Sequence, residues 1–251
     1  LRDGFRNDNY ELDSEVPQKV VFEPETEYLM QVEHNTPNRD TSMESQLKSF
    51  VEQKRIENLV HFTIARNLPS ILKYGLMSRL ELEKRGLETV INDLNRYDGH
   101  TNAVNLSVSF PNYKMFYRIK NEHPSELWVM ILLEPSIIWE KRCAFTKKNA
   151  ASKEMAQIPL EQKMTVDAFL SMFENENLRR ELDLPEHYPT DPQAEVLVFD
   201  VIEPRYIKRI VVETESDKQI LMDQFGLKDS MVSVEPAYFR PREDWVHWKG
   251  V

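Results

Sequence analysis

The sequence predicts an α+β fold of largely antiparallel strands with peripheral helices, and three observations carry that expectation. Six short runs rich in Val, Ile and Leu, at residues 59–62, 104–109, 127–133, 194–201, 209–213 and 232–235, have strand length, and several alternate. Helical patterns do not alternate with them one for one, which argues against a doubly wound parallel sheet. The 251 residues, 41% of them hydrophobic and 10% aromatic, suffice for a packed core and exclude global disorder.

Taken in order, residues 1–42 read as an acidic arm. They are rich in Asn, Asp, Glu and Thr, carry Pro17, Pro24 and Pro37, and hold one strand-like run at residues 19–22. Residues 43–251 read as a single domain. Leu47, Phe50, Val51 and Ile56 give residues 44–56 a helical apolar face. The next helix has Asn67 as its predicted N-cap, Pro69 in its first turn and Gly75 at its end. A third helix is expected over residues 165–182, with Phe169, Leu170, Met172 and Phe173 as its apolar side. A fourth, over residues 216–225, has Ser216 and Gln219 as its capping box and Gly226 as its stop.

Composition narrows the chemistry. Cys143 is the single cysteine, so neither a disulfide framework nor a Cys-based zinc site is expected, and a reducing cytoplasm fits. The six histidines never fall at H-x₃-H spacing, and no metal is expected. With six glycines there is no G-x-G-x-x-G and no G-x-x-x-x-G-K-[ST] phosphate loop. No apolar run is long enough for a membrane helix, and no signal-peptide pattern stands at the start, so a cytoplasmic protein is expected. The net charge of −10 argues at first against a polyanionic partner. It is unevenly spread, however: residues 66–153 carry 14 basic and 9 acidic side chains, while both flanks are acidic. That basic island is either a chance feature of a solvated surface or a face for nucleic acid.

Four local features have chemical potential. His61-Phe62-Thr63 flanks an aromatic with polar groups where a strand feeds a helix; its plain alternative is a strand end. Arg96 lies in a polar loop, where its planar fork could grip a phosphate or carboxylate, or simply stay solvated. Residues 110–117 cluster aromatics beside Lys114 and Arg118, as core packing or as a stacking platform. Glu195 starts a strand otherwise fit for burial, so its carboxylate should be paired, at an edge, or functional.

In order, these features and their neighbours form a series: His61-Phe62-Thr63, the segment from Asn67 to Leu76, Arg96, residues 106–110, the run Phe145-Thr146-Lys147-Lys148-Asn149-Ala150-Ala151-Ser152, and Gln193-Ala194-Glu195. The series resembles the DarT family of DNA ADP-ribosyltransferase toxins, from about Ile56 through residues 242–248. The resemblance implies an ADP-ribosyltransferase-like fold, which holds NAD without a glycine loop. It further implies NAD-dependent transfer of ADP-ribose to a base of single-stranded DNA, and a macrodomain antitoxin (DarG-like) as partner. Glu195 would be the catalytic carboxylate, and Arg96 would face both NAD and the acceptor base. His61 and Thr63, with Phe62 between them and Ser70 beyond, would hold NAD, which is a substrate here. Residues from about 141 to 192 would shape the acceptor site. The target base stays open, as do two alternatives: ADP-ribosyl or phosphotransfer chemistry on protein or RNA, and a catalytically silent NAD or nucleic-acid binding module.

Overall fold

The structure is a computed structural model that describes residues 41–87 and 101–249. Arg96 and almost all of the predicted acidic arm lie outside the described residues.

Seven strands form one sheet: β1 (Leu59–Ile64), β2 (Val104–Val108), β3 (Trp128–Leu133), β4 (Cys143–Thr146), β5 (Glu195–Val198), β6 (Ile207–Val212) and β7 (Val232–Val234). Their spatial order is β4-β5-β2-β1-β3-β6-β7. All neighbours are antiparallel except β6 and β7. The α-helices among the described residues are α1 (Thr41–Gln53), α2 (Leu68–Tyr74), α3 (Arg79–Arg85), α4 (Tyr113–Glu122), α5 (Ile137–Glu140), α6 (Lys153–Ala156), α7 (Leu160–Lys163), α8 (Val166–Ser171), α9 (Glu176–Glu181) and α10 (Glu215–Phe225). A parallel pair cannot be joined by a tight hairpin, and α10 supplies the crossover from β6 to β7.

The core lies on both faces of the sheet. On one face Leu59, Leu106, Ile131, Val196 and Ile210 pack under Leu47 of α1, Phe169 of α8 and Leu221 of α10. On the other, Val60, Met130 and Val211 meet Phe116 of α4 and Phe239. Strand β3 sits between β1 and β6 and is buried along all six residues, which is why Trp-Val-Met-Ile-Leu-Leu is continuously apolar and does not alternate.

The α+β expectation holds, and the six expected strands form within a few residues of their predicted bounds. Strand β4 was not expected. Cys-Ala-Phe-Thr is only four residues long and holds no Val or Ile, so it does not stand out as a strand, and it pairs along its whole length with β5. The helix expected over residues 165–182 divides into α8 and α9. Asn175, at φ 72°, interrupts it, and its side chain accepts from Leu178 N to start α9. Asn67 stands at the N-cap of α2 as expected, but its side chain makes no capping bond there; its amide donates to Thr63 Oγ1 at 3.0 Å. In residues 110–117 the packing alternative prevails for Tyr113 and Phe116, which are buried in α4.

The capping box of α10 also sits two residues earlier than expected. Thr214 Oγ1 accepts from Asp217 N at 3.1 Å, and the Asp217 carboxylate accepts from Thr214 N at 3.0 Å. Thr214→Ala should therefore cost about 1 kcal/mol, while Ser216→Ala should cost only a few tenths. Urea unfolding of the two variants checks this, and equal losses would contradict the assignment.

Candidate active site

The ladder between β1 and β2 is two residue pairs long, Leu59 with Val108 and Val60 with Ser107. Beyond it the strands diverge: β1 continues against β3 for six pairs, and β2 turns to β5. The candidate groups collect where they part.

Glu195 is the first residue of β5 and is 5% exposed. A buried carboxylate needs donors, and two are in place. Ala150 N donates to Oε2 at 3.0 Å, and the Asn105 side-chain amide donates to Oε1 at a longer 3.5 Å. The first donor is delivered by the turn after β4. Asn149 Oδ1 accepts from Ala151 N at 2.8 Å, Ser152 N donates to Asn149 O at 2.9 Å, and Ser152 then caps α6. Thr146 faces Glu195 across the β4–β5 ladder and donates its hydroxyl to the Glu195 carbonyl at 3.4 Å. The run from Phe145 to Ser152 thus folds around the carboxylate.

His61 comes to Asn105 from β1, on the other face of the sheet. Its Nδ1 lies 3.1 Å from Asn105 O, and since a carbonyl only accepts, Nδ1 carries a proton. Asn105 is therefore the junction, with its main chain bound to His61 and its side chain to Glu195. Strand alternation sorts the remaining candidates. Phe62 pairs with Met130 and falls on the face shared by Asn105 and Glu195, packed against Phe116 and Trp128 at ring separations of 5.4 and 6.3 Å. Thr63 falls on the opposite face with His61 and is buried against the Asn67 amide. Ser70 is half-buried on α2. Glu195 and His61 are thus linked through Asn105, whereas the Thr63 hydroxyl accepts from Asn67.

Two contributors escaped the sequence reading. Asn105 stood inside a strand candidate with nothing to mark it, because its role depends on register with β5. The Ala150 donor is a main-chain group, which no side-chain motif reveals, although the expected run does contain the residue.

Before β5, Asp191 makes a tight turn, accepting from Gln193 N at its side chain and from Ala194 N at its carbonyl. Burial raises its carboxyl above the ordinary range, opposed by the Gln193 bond and by Arg242, Lys114 and Lys148 nearby. Elsewhere the basic island is partly neutralised by acids from the C-terminal third, through Lys120 with Glu213, Arg142 with Asp200 and Lys148 with Glu154. Among the described residues, no group of three His, Cys, Asp or Glu is arranged to hold a metal ion. No helix among them is long and apolar enough to cross a membrane.

A profile of the family described as "DarT: ssDNA thymidine ADP-ribosyltransferase" matches residues 60–245, from β1 through Trp245. The chain belongs to the DarT family. Its fold is similar to that of Thermosipho africanus DarTG, solved in complex with ADP-ribose, at 21% identity and a TM-score of 0.51 over 73% of this chain. That match spans only 51% of the Thermosipho chain. Two structures of Thermus sp. 2.9 DarT also match. The one in complex with NAD+ gives 16% identity and a TM-score of 0.47, over 73% of this chain and 98% of that one. The one in complex with ADP-ribosylated ssDNA gives 14% and 0.44, over 74% and 97%. No curated protein sequence matches the chain. Membership in the DarT family agrees with the motif series, since the profile spans every part of it, including the Gln193-Ala194-Glu195 segment.

Proposed function

We propose that this chain transfers ADP-ribose from NAD to a base of single-stranded DNA. The observation that carries the proposal is the buried Glu195 carboxylate, fixed by Ala150 N–H and the Asn105 amide where β1 and β2 part, in a chain of the DarT family.

The chemistry follows from the charge that the reaction creates. Breaking the bond between nicotinamide and ribose develops positive charge at the ribose C1′, as in glycoside cleavage. A carboxylate already oriented before the reaction stabilises that charge without reorganising. Glu195 is the residue with that property here. The same reading assigns His61 to NAD through its ring, with Phe62 and Thr63 fixing the strand that presents it. Ser70 and Arg96 are assigned to NAD as well, and Arg96 further to the acceptor base. Arginine stays protonated, so its role there is electrostatic and positional. A single-stranded substrate avoids the few kcal/mol needed to expose a paired ring nitrogen.

Residues 43–251 are assigned to the transferase and residues 1–42 to an extension. The reading extends to a cytoplasmic toxin held in check by a macrodomain antitoxin, by analogy with the DarTG pairing named for the Thermosipho structure. Thymine is the expected acceptor, following the family description. The deciding experiment incubates the chain with NAD and single-stranded oligonucleotides that differ in one base, followed by mass spectrometry. An adduct of ADP-ribose mass that requires one particular base is the expected result. NAD consumption with protein or RNA labelled in place of DNA would replace this reading, and so would the absence of any product.

A further inference from the structure

Residues 185–190, the loop that runs toward Glu195, lie outside the sheet ladders, and their carbonyls must find donors elsewhere. Two buried arginines supply them. Arg179 of α9, 5% exposed, donates Nη1 to Tyr188 O at 2.7 Å and to Thr190 Oγ1 at 3.2 Å. Its Nη2 donates to Pro185 O at 3.0 Å and Glu186 O at 3.3 Å. Arg242, 3% exposed, donates to Pro189 O at 2.8 Å and Thr190 O at 2.9 Å. Five main-chain carbonyls within six residues are thus held by two guanidinium groups.

Arg242 is itself held in place. Both Asp244 carboxylate oxygens accept from it, at 2.6 and 2.5 Å, and Asp244 Oδ2 also accepts from Trp248 Nε1 at 2.6 Å. The Tyr188 ring lies 5.6 Å from the guanidinium carbon. Immediately after this gripped segment comes the Asp191 turn, then Ala194 and Glu195.

Burying charge to hold a loop is costly, and well-packed apolar side chains often give equal stability. What a guanidinium fork adds is direction: it fixes several oxygens in one plane. We propose that Arg179 and Arg242, the latter locked by Asp244 and Trp248, are positioning residues for Glu195. They fix residues 185–190 so that the Asp191 turn sets the carboxylate against Ala150 N–H. The inference rests on the reading of Glu195 as the group that acts at the ribose. It gives the segment from Arg242 to Trp248, at the far end of the sequence, a part in the catalytic geometry.

The test uses the full chain with Asp244→Asn and Trp248→Phe, which keep both arginines, and Arg179→Lys, which keeps the charge without the fork. Two readouts are taken: steady-state transfer with NAD varied, and hydrogen exchange of peptides covering residues 185–195 and 128–133. The expected result is a kcat lowered at least about tenfold with KM for NAD changed less than about twofold. Exchange should rise in residues 185–195 and stay unchanged in residues 128–133. An unchanged kcat in all three variants overturns the inference. So does exchange that rises equally in both segments, which would mean a general loss of stability. If the unmodified chain gives no DNA adduct, the assignment of function fails. In that case the exchange data still decide whether these side chains hold the loop, and unchanged exchange in residues 185–195 overturns the inference independently.

Discussion

Replacing Glu195 with glutamine is expected to lower the rate of ADP-ribose transfer to DNA by about 10²–10³-fold, the usual effect of removing one preorganised electrostatic group. Glutamine has nearly the same shape, and its carbonyl oxygen can still accept from Ala150 N, so the turn from Asn149 to Ser152 should keep its place. What disappears is the negative charge. Stabilisation of an oxocarbenium-like state depends on that charge, whereas ground-state binding of NAD depends on it much less. The loss should therefore appear in kcat with little change in KM for NAD. Asn105→Ala offers a graded comparison, since it removes a long bond to the carboxylate and leaves its charge. Its effect should be smaller than that of Glu195→Gln. Transfer by Glu195→Gln at the unmodified rate would remove Glu195 from the chemistry altogether.

The largest effect on stability is expected from Phe116→Ala, at about 3–5 kcal/mol. Phe116 is fully buried, and its ring centre lies 5.4 Å from that of Phe62, 5.7 Å from Trp128 and 5.9 Å from Phe239. Truncation would leave a ring-sized void between α4, β1, β3 and the segment around Phe239. Native stabilities are only about 5–15 kcal/mol, so the variant should sit near the edge of folding. Phe116→Leu keeps much of the volume and should lose less. Urea titration followed by tryptophan fluorescence measures both, with Trp128 reporting from inside the cluster. A loss below about 1 kcal/mol for the alanine variant would show that the site collapses without difficulty. Phe62 leans on this cluster and neighbours His61, so destabilised variants should also bind NAD more weakly.

Much of the fold was legible because its strands advertise themselves. Continuous Val, Ile and Leu runs with one face or both buried leave a pattern that propensity and periodicity detect. Strand β4 has no such pattern and exists through its partner. The division at Asn175 was hidden by Phe169, Met172 and Phe173, which look like one helical face although the last two pack from beyond the end of α8. In the site, Glu195 stood out because a carboxylate at the head of an apolar strand conflicts with burial. His61 stood out through its polar neighbour and the helix that follows. Asn105 did not, because what makes it important is Glu195 on the neighbouring strand β5, 90 positions away. Nothing in the sequence marks Arg179 or Arg242 as buried; only the folded loop reveals that their partners are carbonyl oxygens.

The short ladder between β1 and β2 has a mechanical consequence. Two residue pairs join β4-β5-β2 to β1-β3-β6-β7, so the sheet is two plates that share its shortest ladder as a seam. Glu195 rides on one plate and His61 on the other, with the His61–Asn105 bond spanning the seam. Any change in the distance between the two residues must pass through that seam and through the core cluster that underlies both plates.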